Sequence, residues 1–221
     1  MTPQPANDAR EPIAPKSARR SQQERIEQSD RLMLDAAEAL VLELGTHATT
    51  LREVGERAGY SRGLAHARFG SKEQLFMRLV ERCLDNWFQE LRKASQGKRG
   101  LSALMSRLDA VVEYALNYPE DARVLYILWF ESVGVSSPMK ERLGSFHRAA
   151  RKDVCDLLRE SIEENELPQE LDIDAIALLI TSTSFGVAYQ WLVDAQSIEV
   201  ETAVASVRQQ ILALLRSAQA A

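Results

Sequence analysis

Residues 50–72, TLREVGERAGYSRGLAHARFGSK, contain the signals for two short helices joined by a tight turn. Thr50 and Glu53 have the spacing of a capping box, in which each side chain binds a backbone N–H left free at the start of a helix. Gly59 can adopt the left-handed conformation that ends the first helix, and Ser61 is a good N-cap for the second. The pattern therefore predicts a helix-turn-helix, a motif that reads DNA.

The packing of these two helices is also predicted by small and apolar residues. Gly55 leaves room for the second helix to cross the first closely, and Ala65 is the small residue suited to packing inward. Phe69 is expected to close the core behind it. Ser71 and Gln74 have the spacing of another capping box, which predicts that a longer helix begins there.

This stretch resembles the DNA-binding motif of the tetracycline-repressor (TetR) family of bacterial transcription regulators. The matching residues are Thr50-Leu51, Val54, Ala58-Gly59, Ser61-Arg62-Gly63, Phe69 and Ser71-Lys72-Glu73. The sequence departs from the usual family pattern at Leu64-Ala65-His66, Arg68 and Gly70. The family commonly has a Thr-Leu-Tyr run whose Tyr contacts a phosphate, so either His66 replaces that Tyr or the contact is lost. The strong part of the resemblance covers about residues 26–86.

The resemblance implies contacts with a DNA operator. We expect Arg62 to contact base edges and Leu64 to contact a thymine methyl group or a sugar. Hydroxyl, imidazole and ammonium groups near the helix starts would bind phosphates. The predicted DNA-binding residues are Thr50, Ser61, Arg62, Gly63, Leu64, His66, Arg68 and Lys72.

The charge distribution agrees with DNA binding although the whole chain has a net charge of −5. Residues 1–80 contain 12 Lys and Arg against 11 Asp and Glu, a net charge of +1, and the remaining residues carry 15 against 21, a net charge of −6. Phosphate attraction depends on local positive charge. The cations of the motif are Arg52, Arg57, Arg62, Arg68 and Lys72. A solvated charged face is the alternative interpretation of this cluster.

The pattern as a whole predicts an all-α protein with two domains. Residues 1–20, with four of the seven prolines, are expected to be a disordered arm that either solubilises the protein or follows a DNA groove. Residues 21–86 are expected to form a three-helix domain with the helix-turn-helix at 50–69. Residues 87–221 are expected to form a helical domain for ligand binding and dimerisation.

The apolar periodicity predicts the remaining helices. A long helix at 71–95 bridges the two domains, and five more helices are expected at 101–117, 120–134, 138–165, 172–195 and 199–217. The helix at 172–195 has two apolar faces, which is more than one core contact requires. The helices at 172–195 and 199–217 are therefore expected to pair with their copies in a homodimer, as they do in TetR-like proteins.

Aromatic residues of the second domain could line an effector pocket, although aromatic residues at helical spacing are more often plain core. We expect the apolar segment 124–130 to be buried. The pocket candidates are Trp87, Tyr114, Tyr118, Trp129, Phe130, His147, Phe185 and Tyr189.

Other classes of protein are disfavoured by the sequence. No apolar run approaches the roughly 18 residues of a membrane span, and the N-terminus lacks an apolar signal core, so a cytoplasmic protein with no membrane partner is expected. Cys83 and Cys155 are expected to be free buried thiols, and no cofactor, metal site or enzymatic activity is expected.

These features predict a sequence-specific transcriptional regulator, most consistent with a repressor released from a palindromic operator by a small-molecule effector. The alternatives are a helical-bundle small-molecule-binding protein or enzyme without DNA binding, and a protein that compacts DNA without regard to sequence. Nothing in the sequence identifies the effector.

Overall fold

The computed structural model describes residues 21–134 and 136–217, and every regular element in these residues is an α-helix. The predicted arm at residues 1–20 lies outside them. The helices are α1 Gln22–Ala48, α2 Leu51–Arg57, α3 Arg62–Phe69, α4 Lys72–Ser95, α5 Gly100–Asn117, α6 Pro119–Val133, α7 Pro138–Glu163, α8 Ile173–Val193 and α9 Val200–Ser217. The all-α prediction is confirmed, and the bounds predicted for the helices from residue 71 onward agree with these to within about two residues.

Local capping chemistry sets the limits of the first three helices. The reciprocal capping boxes at Ser21 with Glu24 and at Thr50 with Glu53 are both formed. Gly45 and Gly59 each have φ +77°, a conformation that side chains with a Cβ resist. Helix α1 is broken at Gly45 and continues as a last turn to Ala48. The turn between α2 and α3 is therefore fixed by Gly59 and by the cap on Ser61.

Helices α2 and α3 cross at Gly55, as the sequence predicts. A Cβ atom on Gly55 would lie 3.0 Å from the carbonyl oxygen of Ser61 and 3.3 Å from the Cβ of Ala65. Ala65 is fully buried and Phe69 is buried behind it. The close crossing of the two helices therefore requires a residue without a side chain at position 55.

Ion pairs and polar contacts fix α1 against the helices that follow the motif. Arg82 of α4 pairs with Asp35 of α1 at 2.7 Å and also with Glu38 of the same helix. The carboxyl of Glu38 is partly buried, and this burial raises its pKa in opposition to the effect of Arg82. Thr46, at the end of α1, donates a hydrogen bond of 2.5 Å to Glu131 of α6. Helix α1 is thus connected to both α4 and α6.

Two clusters of buried apolar residues form the core. The first includes residues of α1, α3, α4, α6 and the start of α7, so it crosses the predicted domain boundary at residues 86 and 87. The second lies among α5, α7, α8 and α9. The sulfur atoms of Cys83 and Cys155 are free and both residues are buried, as expected.

The prediction that segment 124–130 is buried throughout is only partly right. Val124, Leu125 and Leu128 are buried, but Phe130 is 58% exposed. A helix turns by about 100° per residue, so an apolar run of seven residues covers all sides of α6, including the side that faces away from the chain's own core. The exposed side of α6 extends to Val133, which is 67% exposed.

Helix α8 also differs from the expectation that nothing in the chain suits a membrane span. Within the described residues, Ile173–Val193 alone is long and apolar enough for one, with mean hydropathy 1.5 over an 18-residue window. Residues 181–184, Thr-Ser-Thr-Ser, interrupt the apolar residues of this helix, so the sequence shows no uninterrupted apolar run of this length. Length and composition do not separate a span from a packing helix, and Ile176, Ala177 and Ile180 of α8 are buried in the core.

The helix crossing at Gly55 gives a stability test. The change Gly55→Leu should lower the free energy of unfolding by roughly 1–3 kcal/mol, because the added atoms meet the backbone of Ser61. The matched control is Gly63→Ala, where the nearest atom to a new Cβ is the Ser61 Oγ at 3.9 Å. This control should stabilise the protein by about 0.5–1 kcal/mol through helix propensity. Urea unfolding measures both, and equal stability of the two variants would contradict the crossing.

Candidate nucleic-acid interface and ligand cavity

The exposed side of α3 is small and carries one cation. Ser61, Arg62, Gly63 and His66 are all exposed, and so is Ala67. No hydrogen bond or ion pair joins the side chain of Arg62 to any other described residue. The sequence reasoning missed Ala67, although helical spacing from Gly63 could have placed it on this face. A surface of small residues with an unpaired Arg can approach a DNA groove closely.

Two of the five cations in the motif are already paired with carboxylates of α1. Arg57 donates two hydrogen bonds of 2.5 Å to Glu43, and these bonds lower the pKa of the Glu43 carboxyl. Arg68 lies 3.2 Å from Asp30, and its Nη2 donates to the Ser29 Oγ at 3.2 Å. Arg68 is therefore a link between α3 and α1, and its place among the predicted DNA contacts is not supported by this geometry.

The other predicted phosphate contacts lie at helix ends. The Lys72 Nζ donates to the backbone oxygen of His47 at 3.2 Å and lies 5.6 Å from the centre of the Phe76 ring. The Thr50 hydroxyl donates to the Glu53 carboxylate at 2.8 Å, so part of its hydrogen-bonding capacity is used within the cap. Leu64 is half-buried and packs against the core, with only part of its side chain available to a groove.

The start of α4 differs in one detail from the prediction. The Ser71 Oγ accepts the N–H of Gln74 at 3.1 Å, as expected for an N-cap. The reciprocal half of the predicted box is replaced, because the N–H of Ser71 donates to the oxygen of Phe69 at 2.7 Å. The Gln74 amide instead lies over Gly70, where its Oε1 is 2.6 Å from the position of a Cβ.

A cavity of about 380 Å³ lies among α4, α5, α6, α7 and α8. Its wall is mostly apolar. The aromatic residues in the wall are Trp87, Phe88, Tyr114, Tyr126, Trp129, Phe146, Phe185 and Trp191. Within this wall, the ring centres of Trp129 lie 5.6 Å from Phe146 and 5.5 Å from Phe185.

Four of the eight predicted pocket residues line this cavity: Trp87, Tyr114, Trp129 and Phe185. The other four are not in its lining. Tyr118 stacks on Tyr114 at 5.6 Å, and His147 contacts the rings of Trp129, Phe146 and Phe185. Phe130 and Tyr189 contact each other at 5.2 Å and are 58% and 42% exposed. Whether an aromatic side chain faces the cavity depends on how its helix is rotated about its own axis. The sequence pattern does not give this rotation.

His147 packs among aromatic rings, and its role here is structural. Burial among the aromatic rings lowers its pKa, and the nearby charge of Arg151 lowers it further. A neutral imidazole packed against these rings supports the cavity wall from outside.

The sequence reasoning missed the charged residues of the lining, which are Arg92, Arg107 and Asp153. Arg107 of α5 pairs with Asp153 of α7, and desolvation lowers the pKa of the Arg107 guanidinium. The two residues are 46 positions apart in the chain, so no local spacing could have revealed them. Across the described residues, no cluster of His, Cys, Asp and Glu side chains could hold a metal ion.

An exposed recognition helix in a helix-turn-helix, joined by one helix to a second helical region with an internal cavity, defines a one-component DNA-binding regulator. Family profiles specify the class further. The profile described as "Bacterial regulatory proteins, tetR family" matches residues 33–79, and "BetI-type transcriptional repressor, C-terminal" matches residues 104–216. The chain belongs to the TetR family of transcription regulators, as the motif predicted.

Relatives and solved structures agree with this assignment. The transcriptional repressor KstR2 of Mycobacterium tuberculosis is 26% identical over 167 residues, covering 72% of this chain and 78% of that protein. The transcriptional activator FasR of Mycolicibacterium smegmatis is 28% identical, covering 81% and 79%. The fold is similar to that of SmeT bound to triclosan, with TM-score 0.71 and 23% identity over 84% of this chain and 90% of that chain.

Proposed function

We propose that this regulator is a homodimeric repressor whose operator binding is released when a small molecule enters the cavity. The continuity of α4 is the observation that carries the proposal. Lys72, its first residue, contacts the end of α1 beside the helix-turn-helix of α2 and α3. The other end of α4 lines the cavity with Trp87, Phe88, Leu91 and Arg92. A molecule that displaces the cavity end of this helix also displaces the helix-turn-helix.

Repression is the direction that the similarities favour. The C-terminal profile that matches residues 104–216 is described as that of a transcriptional repressor, and several relatives, KstR2 among them, are repressors. FasR is an activator, and so repression, as opposed to activation, is part of the proposal. We expect the protein to act in the cytoplasm, where operator DNA is found, and to have no catalytic activity.

The proposed DNA contacts follow the exposure of α3. Arg62 is placed at base edges, since it is exposed and without a described partner. Ser61 and His66 are exposed at the start and in the last turn of the same helix and are placed at phosphates. Lys72 can exchange its contact with the His47 oxygen for a phosphate.

The proposed dimer face is the outer side of α8. Leu178, Leu179, Tyr189 and Val193 are between 42% and 68% exposed, although the chain buries the opposite side of the helix. The only charged residue in α8 is Asp174, in its first turn. On α9, Leu214 is 42% exposed. An apolar, nearly uncharged face of this size is typical of a subunit contact, and a homodimer is the commonest arrangement.

Most of the large apolar residues of α9 face the protomer's own core. Val200, Val204, Ile211 and Leu215 are buried in the core of the protomer itself. A charge at Ile211 would therefore disrupt folding before it tested dimerisation. The test belongs on α8.

The reading of bases can be tested with an operator selected from a random DNA pool. Arg62→Ala should lower the ratio of operator affinity to random-DNA affinity, at about 1–3 kcal/mol per lost base contact. Lys72→Ala should weaken both affinities by the same factor. It should also reduce the slope of log affinity against log salt concentration by about one. The control is Arg148→Ala, an exposed Arg on α7. An unchanged affinity ratio in Arg62→Ala would remove this residue from base reading.

The dimer face can be tested with the double variant Leu178→Glu, Leu179→Glu. Each buried leucine contributes roughly 1.5–3 kcal/mol, so charges at both should separate the protomers at micromolar concentration in sedimentation velocity. Leu44→Glu is the matched control, because Leu44 is 55% exposed but lies on α1. A dimer that survives the double variant, or a monomeric unmodified protein, would contradict the proposed face.

A further inference from the structure

The charges in the cavity lining do not cancel. Among the described lining residues, Arg92 and Arg107 are cationic and Asp153 is anionic, while the others are uncharged or only weakly acidic. The lining therefore has a formal charge of +1 at neutral pH. Arg92 is exposed, and no described carboxylate pairs with it. One negative charge on a bound molecule would bring the site to neutrality.

The charge of Arg107 is the one held inside the protein. Its side chain is 23% exposed, whereas that of Asp153, which pairs with its Nη1, is 46% exposed. The Nε of Arg107 is buried and has no hydrogen-bond partner among the described atoms. A buried donor without an acceptor is costly, so an acceptor that enters the cavity would relieve this cost.

The other polar atoms of the lining point to the same requirement. Each hydroxyl already donates to a backbone oxygen: Tyr114 to Cys83, Tyr126 to Phe185, Thr181 to Ala177 and Ser184 to Ile180. The indole Nε1 of Trp129 is buried and has no partner in the described part of the chain. The buried donors of the lining that lack an acceptor thus belong to Arg107 and Trp129, and an acceptor on a ligand could satisfy both.

The rest of the wall favours a hydrophobic body. The cavity volume of about 380 Å³ is at the lower end of the range of roughly 300–1,000 Å³ for small-molecule sites. Aromatic rings such as those of Trp87, Phe88 and Phe146 offer apolar surface without further charge. A nucleotide or another polyanion would lack cationic partners here.

We propose that the effector is a hydrophobic monocarboxylate, whose acidic group pairs with Arg107 while its apolar part lies against the aromatic wall. The inference rests on the proposed ligand role of the cavity. The carboxylate competes with Asp153 for the guanidinium, so binding loosens the contact between α5 and α7. Aliphatic and aryl acids share this chemistry.

Matched pairs of probes test the inference on the unmodified protein. Decanoate and decanol share an aliphatic body, and naphthoate and naphthol share an aromatic one. Calorimetry at pH 7.5 measures each affinity, and quenching of tryptophan fluorescence reports on the site, since all three tryptophans, Trp87, Trp129 and Trp191, line the cavity. At least one acid should bind roughly tenfold or more tightly than its alcohol, as expected for a charge-assisted hydrogen bond. Equal affinities in both pairs, or no binding of either acid, would overturn the proposal.

Variants of the ion pair should move the preference in opposite directions. Arg107→Met keeps an unbranched apolar stem and should remove the preference for the acid. Asp153→Asn removes the competing carboxylate and should raise acid affinity by a few-fold. Arg208→Met is the matched control: Arg208 of α9 pairs with Asp109 of α5 at 3.2 Å but is outside the lining. Circular dichroism checks folding, and a folded Arg107→Met that keeps the preference would refute the assignment.

Operator release, measured with the same probes, separates this inference from the proposed function. An acid that binds with the expected preference but leaves operator affinity unchanged supports the ligand class and counts against the induction proposal. A neutral or cationic compound that binds the cavity and releases the operator supports induction and overturns the ligand class.

Discussion

Helix α4 is one continuous element that joins the DNA-binding helices to the ligand cavity. It begins directly after the recognition helix and reaches the cavity about halfway along, at Leu84. Arg82, between these two ends, is held by carboxylates of α1. Packed helices have discrete arrangements and do not deform continuously, so a shift at one end of α4 would be carried to the other.

Ion pairs within the DNA-binding domain limit the number of cations that are available to DNA phosphates. Arg57 and Arg68 contribute to the predicted cation cluster, but their charges are matched by Glu43 and Asp30 of α1. The Arg57 pair holds α2 against α1, and the Arg68 pair holds α3 against α1. Arg52 lies 3.9 Å from Glu56 of its own helix, and we propose that the attraction to phosphate falls mainly to Arg62 and Lys72. In the proposed homodimer, two DNA-binding domains would bind one operator together, which would connect DNA affinity to the apolar outer face of α8.

The sequence predicted local structure well because its causes are local. Capping boxes such as Thr50 with Glu53, and the glycine at 59, determine helix limits within a few residues of themselves. The site was predicted less well, since it depends on how helices rotate and on partners distant in the chain. Tyr189 has the spacing of a core residue but faces outward, and the pair of Arg107 with Asp153 joins two helices with no shared sequence signal.

If the cavity and the DNA surface are coupled through α4, the coupling must be reciprocal, because each ligand then changes the affinity for the other by the same factor. The most direct measurement is a calorimetric titration of the tightest-binding acid into the free protein and into its complex with a selected operator. We predict that the operator weakens acid binding by roughly 5- to 150-fold, corresponding to about 1–3 kcal/mol, and that the acid weakens operator binding by the same factor. Equal acid affinity for the free and the DNA-bound protein would contradict the account.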